Sequence, residues 1–245
     1  MEPIYTQTFH INDSAVDRYG RLKPSMILFY AQEVAGRHAY LLGAGYDALQ
    51  EKHLFWAIIR NRVQITRLPM SGETITVQTW PMPTTRTAYP RSVVAYDEQG
   101  SEIFRCISLW VLMDTEKRAM ILPGKSGVTV SGTLQGGELA LPGSLVPRTM
   151  DTHRARTVCF TDLDRNGHMN NTRYFDWIFD LLPSTFHREH PVSEFTICYL
   201  SEAREGQTLD MSWELGEALA LQVEGTRTLE DGAAHRIFAA KIQFA

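Results

Sequence analysis

Residues 161–174 read Thr-Asp-Leu-Asp-Arg-Asn-Gly-His-Met-Asn-Asn-Thr-Arg-Tyr. This stretch places a carboxylate, a carboxamide and an imidazole at alternate positions, in Asp164, Asn166 and His168. An aspartate orients a partner or accepts a proton, an asparagine amide polarises a carbonyl, and a histidine titrates near neutral pH. The pattern favours an enzyme that acts on a carbonyl-like group. The alternative is a capping turn, in which Asp and Asn side chains satisfy backbone N–H groups.

A degenerate copy of this motif lies near the N-terminus. The hexapeptide Asp17-Arg18-Tyr19-Gly20-Arg21-Leu22 matches Asp164-Arg165-Asn166-Gly167-His168-Met169 at its Asp, Arg and Gly positions. Each copy precedes a predicted helix, which favours a duplication over a chance match. The first copy has Tyr and Arg where the second has Asn and His, so we expect the second half alone to keep the reactive groups.

Two runs have the spacing of an amphipathic helix. The first covers 24–42, begins at a proline and is followed by Gly43 and Gly45, which favour a helix end. The second covers 169–182 and is followed by Pro183. Its apolar positions fall on one helical face. These positions are Tyr174, Trp177, Ile178, Leu181 and Leu182.

Strand-like runs follow each predicted helix. They are rich in β-branched and aromatic residues and are separated by turn signals. The predicted strands are 54–66, 73–80, 92–96 and 103–113 in the first half, and 194–200, 208–213, 218–229 and 237–244 in the second. This order predicts an α+β fold with one long helix and an antiparallel strand set in each half.

A stretch rich in glycine and proline separates the two halves and is typical of an extended connection. We therefore predict a first unit over 1–121, a linker over 122–150 and a second unit over 151–245. The reactive cluster belongs to the second unit.

Composition excludes several classes of function. With 44% hydrophobic and 21% charged residues, the 245-residue chain has an ordinary globular mixture. A net charge of −4 gives no overall basic field for nucleic acid, and no apolar run is long enough for a membrane span. The three cysteines show no metal-type spacing and fit a reducing, cytoplasmic compartment. No nucleotide-binding or metal motif is present, so we expect neither cofactor nor metal.

The run from Asp164 to Trp177 resembles the D-x-N-x-H-x-N-N-x-x-Y-x-x-W signature of acyl-ACP thioesterases from plants and bacteria. Residues 55–60, 72–73, 79–80 and 108–114 are similar to strands of the family's first half. The resemblance implies a double hotdog fold, in which two tandem units each have a long helix wrapped by an antiparallel β-sheet. Such a pair within one chain is compatible with a monomer or a homodimer.

The resemblance also implies the reaction and its partner. The family hydrolyses the thioester of fatty acyl-ACP, releases free fatty acid and holo-ACP, and so ends fatty acid elongation. Its downstream carboxylate corresponds to Glu202, which gives the expected catalytic set Asp164, Asn166, His168 and Glu202. Ala203 stands where plant members have a cysteine, and alanine offers no nucleophile. The sequence leaves open whether Asp164 forms a covalent intermediate or water attacks directly.

In the family the acyl chain occupies the first half. The expected substrate-binding residues here are Met26, Phe29, Tyr30, Trp56 and Ile58. An acidic carrier protein requires a local basic surface. The candidates for that surface are Arg60, Arg62, Arg86, Arg91, Lys117, Arg118, Arg154 and Arg156. The backbone N–H groups at the start of helix 169–182 are expected to support the oxyanion.

Two other functions are compatible with the same scaffold. One is an acyl-CoA thioesterase, and the other is a non-catalytic acyl-binding hotdog protein. The retained carboxylates, amide and imidazole argue against the second, because a binding module has no need of that set.

Overall fold

The computed structural model describes residues 2–245 and divides the chain into two compact units. The first unit ends at Pro142 and the second is Gly143–Ala245. Within residues 2–245, no helix combines the length and apolar character needed to cross a membrane.

The first unit has one long helix and an antiparallel sheet. The strands follow the order β1-β3-β4-β5-β2, and the short β6 pairs with β5. The elements are β1 Tyr5–His10, α1 Pro24–Leu41, α2 Tyr46–Gln50, β2 Leu54–Ile65, β3 Thr74–Pro81, β4 Tyr89–Tyr96, β5 Glu102–Asp114 and β6 Met120–Ile121. Helix α1 buries Ile27, Leu28 and Val34, each of which adds about 1.5–3 kcal/mol of burial free energy.

The second unit repeats this order. Its strands follow β7-β9-β10-β11-β8 and are all antiparallel. The elements are β7 Thr152–Thr157, α3 Arg173–Phe179, α4 Ser184–Glu189, β8 Val192–Tyr199, β9 Thr208–Leu215, β10 Ala220–Thr228 and β11 Ala234–Phe244. Each unit has its first strand at one edge and its second at the other, which confirms the predicted duplication.

The helix of the second unit is shorter than predicted. Helix α3 begins at Arg173 and ends at Phe179, whereas the spacing predicts 169–182. The backbone N–H of Met169 donates to the carbonyl of Ala203 at 2.8 Å, and that of Asn170 donates to the carbonyl of Asp162 at 2.8 Å. These tertiary bonds hold the chain out of the helix, so α3 contributes about two turns where α1 contributes five.

Two edge strands were absent from the prediction. β1 and β7 each pair with one neighbour, β3 and β9 respectively. β7 reads Thr-His-Arg-Ala-Arg-Thr and is largely exposed, so its sequence lacks the apolar alternation that marks a strand.

The predicted linker 122–150 is divided between the units. Its first part packs on the first unit, where Ser126 Oγ lies 2.8 Å from Tyr89 Oη and the N–H of Thr133 donates to the carbonyl of Pro81 at 2.9 Å. Its last part belongs to the second unit, in which the N–H of Arg148 donates to Glu224 at 3.1 Å.

Candidate active site

The motif folds into a tight turn that follows a short 3₁₀ helix, Phe160–Asp162. The N–H of Asp164 donates to the carbonyl of His168 at 2.8 Å, and the N–H of Gly167 donates back to the carbonyl of Asp164 at 3.0 Å. Gly167 has φ 76°, a left-handed conformation that glycine adopts at little cost. The turn therefore places Asp164 and His168 side by side.

The Asp164 carboxylate stabilises this turn with one oxygen. Its Oδ1 accepts the backbone N–H of Asn166 at 2.8 Å and that of His168 at 3.3 Å. Its Oδ2 receives the amide of Asn166 at 3.4 Å. The aspartate thus caps a turn, as the alternative interpretation proposed, and one of its oxygens is engaged only by a long contact.

His168 faces Glu202. The distance between His168 Nε2 and Glu202 Oε2 is 3.1 Å, and the two side chains are 15% and 39% exposed. The hydrogen bond from Met169 to Ala203 fixes the two backbones beside each other. Arg204 Nη2 lies 3.7 Å from the same carboxylate oxygen.

Tyr174 lies beneath the cluster and is 2% exposed. Its hydroxyl bonds the backbone of Ala203. Burial raises the pKa of Tyr174 well above its usual range, and the negative charges of Asp164 and Glu202 raise it further. The charges of both Asp164 and Glu202 therefore reach the Tyr174 hydroxyl. Together with the Asp164–Asn166 and His168–Glu202 contacts, this places all four expected catalytic residues in one region of the second unit.

Four backbone N–H groups near the start of the predicted helix 169–182 are already engaged within the protein, so they are not available for the oxyanion role expected of that helix start. The N–H groups of Met169 and Asn170 are bonded to carbonyls, and those of Thr172 and Arg173 are bonded to the side chain and the carbonyl of Asn170. The side-chain amide of Asn166 is exposed, and its one contact within the turn is the 3.4 Å bond to Asp164 Oδ2.

The first unit contains the same turn without the reactive groups. The N–H of Asp17 donates to the carbonyl of Arg21 at 2.7 Å, and Gly20 has φ 77°. Asp17 Oδ1 accepts the N–H groups of Tyr19 and Arg21, at 2.8 and 3.0 Å. The two turns are therefore built by the same bonds.

The first turn has different side chains at the positions of Asn166 and His168, namely Tyr19 and Arg21. The guanidinium of Arg21 pairs with Asp17 Oδ2 at 3.1 Å, so this carboxylate is neutralised. The N–H of Leu22 donates to the carbonyl of Pro69, as that of Met169 does to Ala203. Leu68 precedes Pro69 and so takes the place of Glu202. The first unit thus lacks the equivalents of Asn166, His168 and Glu202.

A small cavity of about 50 Å³ that opens to solvent lies within the first unit between α1 and the sheet. It exists because α1 presents Ala35, Gly36 and Ala39 there, where larger side chains would fill the space. The other lining residues are Leu42, Ala44, Trp56, Pro81, Tyr89, Pro90, Arg91, Trp110 and Val130.

Of the five residues predicted to bind substrate, one lines the cavity and four do not. Trp56 lines the cavity, and its Nε1 donates to the carbonyl of Ala44 at 2.9 Å. Met26, Phe29, Tyr30 and Ile58 lie outside the lining. Tyr30 packs on the ring of Phe9, and Phe29 is 45% exposed.

Arg91 is not a surface residue, in contrast to its predicted place in a basic patch. It is 7% exposed, and burial lowers the pKa of its guanidinium to about 10. Its Nη1 donates to Thr79 Oγ1 at 3.2 Å and lies 3.1 Å from His38 Nδ1. Tyr89 and Pro90 precede it in the fully buried part of β4, so the alternation typical of a solvated face does not apply.

Two sequence profiles match the chain over most of its length. The acyl-ACP thioesterase N-terminal domain covers residues 2–122 and the acyl-ACP thioesterase C-terminal domain covers residues 147–244. The chain belongs to the acyl-ACP thioesterase family.

Curated relatives in the acyl-ACP thioesterase family share somewhat more than a quarter of their aligned residues with this chain. The dodecanoyl-[acyl-carrier-protein] hydrolase of Cinnamomum camphora is 28% identical over 214 residues, which are 81% of this chain and 56% of that protein. The palmitoyl-acyl carrier protein thioesterase of Gossypium hirsutum is 27% identical over 221 residues, 84% of this chain and 54% of that protein. The chain thus spans about half the length of these relatives.

Solved structures of acyl-ACP thioesterases share the whole architecture. The enzyme from Bacteroides thetaiotaomicron superposes with a TM-score of 0.89 at 25% identity, over 99% of this chain and 98% of the other. The 12:0-ACP thioesterase from Umbellularia californica gives a TM-score of 0.83 at 22% identity, over 100% and 98%. These matches confirm the α+β double hotdog fold.

The sequence analysis missed one residue that positions the acyl-ACP thioesterase motif. Asp162 is 8% exposed and accepts the N–H of Cys159 at 3.0 Å and the indole N–H of Trp177 at 3.3 Å. It thereby ties the 3₁₀ helix to α3. Its spacing from Cys159 resembles a capping box, a signal that the sequence does contain.

Proposed function

We propose that this chain hydrolyses the thioester of a fatty acyl group carried on acyl carrier protein and releases the free fatty acid and holo-ACP. The 3.1 Å pair of His168 and Glu202 beside Asp164 is the observation that carries the proposal. The names of the relatives support it, since the proteins from Cinnamomum camphora and Bacteroides thetaiotaomicron are called acyl-ACP hydrolase and acyl-ACP thioesterase.

In the proposed reaction, a water molecule attacks the thioester carbonyl carbon. Its proton passes to His168, and the adjacent Glu202 carboxylate stabilises the imidazolium that forms. The Asn166 amide donates to the carbonyl oxygen as negative charge develops there. The carbon–sulfur bond then breaks, and the proton held by His168 goes to the departing sulfur.

In this scheme Asp164 stabilises the turn and orients the Asn166 amide, and it does not attack the substrate. Its Oδ1 is engaged by two backbone N–H groups, which lowers its nucleophilicity, and its Oδ2 orients the Asn166 amide. A single turnover in heavy-oxygen water distinguishes the routes. Direct attack leaves Asp164 unlabelled, whereas label in the Asp164 carboxylate would replace this scheme with a covalent one.

The duplicated turn supplies a matched control for the catalytic assignment. Asp164→Asn and Asp17→Asn alter the same turn bond in the two units. We expect Asp164→Asn, His168→Ala and Glu202→Gln each to lower kcat by about 10²–10⁴, and Asp17→Asn to leave kcat near the wild-type value. Equal losses for the two aspartate variants would show that the turn, and not the chemistry, was disturbed.

The carrier is tested by presenting one acyl chain on two carriers. We expect kcat/KM to be higher with acyl-ACP than with acyl-CoA. A preference for acyl-CoA would reassign the chain as an acyl-CoA thioesterase, and acyl binding without hydrolysis on either carrier would reassign it as a binding protein.

The cavity of the first unit is our proposed site for the acyl chain. Ala39→Leu adds three carbons to its wall, so the preferred acyl chain should shorten. Glu33→Leu, at an exposed position of the same helix, is the matched control. An unchanged chain-length profile in Ala39→Leu would exclude this cavity as the acyl site.

A further inference from the structure

The two units correspond residue for residue around the turn of the motif. Strands β1 and β7 have six residues each, and the isolated bridge Val16–Leu22 recurs at the same offset as the bridge Leu163–Met169. The correspondence continues into the helices, because the N–H of Met26 and that of Arg173 each donate to the carbonyl three residues earlier at 2.9 Å. Each position of the second unit near the turn therefore has a counterpart in the first.

The counterpart of Tyr174 is Ile27. Both lie in the first turn of their helix and are buried, Tyr174 at 2% exposure and Ile27 at 0%. An apolar side chain is the ordinary occupant of such a position, and burial of a hydroxyl costs free energy unless it is bonded. Since the first unit builds the same turn and helix start with isoleucine, the hydroxyl of Tyr174 is not a requirement of the fold.

The ring of Tyr174 is held between two other aromatic rings. Its centroid lies 5.5 Å from that of Tyr199 and 5.0 Å from that of Phe238, with an interplanar angle of 64° to each. The hydroxyl of Tyr199 donates to the carbonyl of Asn171 at 2.9 Å, so this neighbouring ring is itself tied to the motif. These contacts fix the direction in which the hydroxyl of Tyr174 points.

The phenol oxygen of Tyr174 bonds the backbone of Ala203, the residue after Glu202. This bond lowers the pKa of Tyr174, as a backbone N–H donor does, so the phenol oxygen is the acceptor. The carbonyl of Ala203 meanwhile accepts the N–H of Met169 at 2.8 Å. Ala203 is thus bonded on both sides of its backbone to the segment that carries the motif.

The first unit lacks both partners of the tyrosine–backbone bond. The N–H of Leu22 donates to the carbonyl of Pro69 at 2.8 Å, as that of Met169 does to Ala203, so Pro69 is the counterpart of Ala203. A proline has no N–H to donate, and Ile27 has no oxygen to accept one. Donor and acceptor are therefore absent together from the unit that lacks the reactive groups.

The O–H proton of Tyr174 faces the carboxylates of the cluster. Burial raises the pKa of Tyr174 well above its usual range, and the negative charges of Asp164 and Glu202 raise it further. The phenol therefore keeps its proton throughout the neutral range and remains an O–H donor beside two acceptors. Its oxygen and its proton serve different partners at the same time.

We propose that Tyr174 is a positioning residue for the hydrolysis, in which its phenol oxygen holds Ala203, and with it Glu202, against His168. This inference rests on the proposed function, because it concerns the same reaction. Tyr174 contacts neither the substrate nor the attacking water in this scheme and acts through the 3.1 Å pair of His168 and Glu202.

Tyr174→Phe tests the proposal, because it removes one oxygen and keeps the ring. We expect kcat with acyl-ACP to fall by about tenfold or more and KM to stay within about twofold of the wild-type value, since the hydrogen bond orders the reacting groups and not the substrate. Tyr5→Phe is the matched control. It removes a phenol oxygen that bonds Gln7 at 3.1 Å in the first unit, and should leave kcat and KM unchanged.

A double variant separates positioning from general damage to the second unit. If Tyr174 acts through Glu202, the variant Tyr174→Phe/Glu202→Gln should have the kcat of Glu202→Gln alone, within about twofold. Independent structural damage would instead multiply the two losses. Unchanged kcat in Tyr174→Phe, or multiplied losses in the double variant, overturns the inference and leaves the proposed function standing. Absence of hydrolysis by the wild-type protein overturns the proposed function itself.

Hydrogen exchange of the wild-type protein keeps the inference falsifiable if Tyr174→Phe does not fold. The amide proton of Ala203 should exchange at least about 10³-fold more slowly than an unstructured amide, because Tyr174 accepts it. The amide of Gly167, in the exposed turn, gives the reference for exchange within the motif. Exchange of the Ala203 amide at the rate of an unstructured chain would show that the bond to Tyr174 is not made, and would overturn the inference.

Discussion

Replacement of Arg91 by methionine tests how much the buried guanidinium contributes to the stability of the first unit. Burial lowers the pKa of Arg91 from 12.5 to about 10. At 1.36 kcal/mol per unit, the charged form is disfavoured in the folded state by about 3 kcal/mol. Methionine has a similar length and no charge, so the variant avoids this cost.

The hydrogen bonds of Arg91 oppose that gain. It makes two, to Thr79 at 3.2 Å and to His38 at 3.1 Å, and each contributes about 1 kcal/mol. The difference predicts that Arg91→Met raises the free energy of unfolding by about 1 kcal/mol. In a chain of this length the melting temperature should rise by about 2–4 °C.

Urea and thermal unfolding near pH 7 and near pH 9 measure this effect. The folded pKa of Arg91 is lowered, so the cost is constant below about pH 10 and shrinks only above it. The variant should therefore gain equally at both pH values. In the control Arg67→Met, loss of the ion pairs with Glu73 and Asp97, whose side chains are 29% and 10% exposed, should lower the free energy of unfolding.

A loss of more than about 3 kcal/mol in Arg91→Met would refute this reasoning. Such a loss would mean that the contacts of the guanidinium with Thr79 and His38 hold the first unit together.

Burial and the charge of Arg91 lower the pKa of His38. The contribution of neutral His38 to the free energy of unfolding is therefore complete above about pH 6.5 and falls as the pH drops below that value. In urea titrations, His38→Gln should remove this pH dependence. Gly225→Ala should destabilise the protein by about 1–3 kcal/mol, because a Cβ would overlap the ring of Phe238, and thermal melts that match the wild type would contradict this. Arg165→Glu, at an exposed position of the turn proposed as the active site, should raise KM for acyl-ACP far more than for a small thioester, with Arg188→Glu on α4 as control. Equal effects on both substrates would argue against carrier docking at the turn.

The sequence predicts the parts of the fold that local chemistry determines. The glycines of the two turns require φ near +77°, and the aspartates cap them, so both turns are visible as hexapeptides. The strand cores are visible because their apolar alternation is strong. The edge strand β7 lacks that signal because its side chains are almost all polar and exposed, and the alternation of β1 runs over only six residues, four of them polar.

Long-range contacts determine what the sequence does not predict. The spacing from Met169 to Leu182 is helical, but hydrogen bonds to Ala203 and Asp162 keep the first residues of that run out of the helix. Arg91 looks like a surface cation in sequence, because its burial depends on α1 and on the strands beside β4. The cavity likewise depends on small side chains of α1 that read, in sequence, as ordinary helix formers.

The turns at Asp17–Arg21 and Asp164–His168 show which residues build the turn and which differ between the two units. Both units keep Asp and Gly, and both use them for the same backbone bonds, so these two residues build the turn in either unit. The reactive capacity lies in the positions that differ. In the first unit Arg21 neutralises Asp17, and Leu68 stands where Glu202 would be. Under the proposed function, Asn166, His168 and Glu202, and not the Asp-x-x-Gly frame, are therefore the residues that distinguish the second turn from the first.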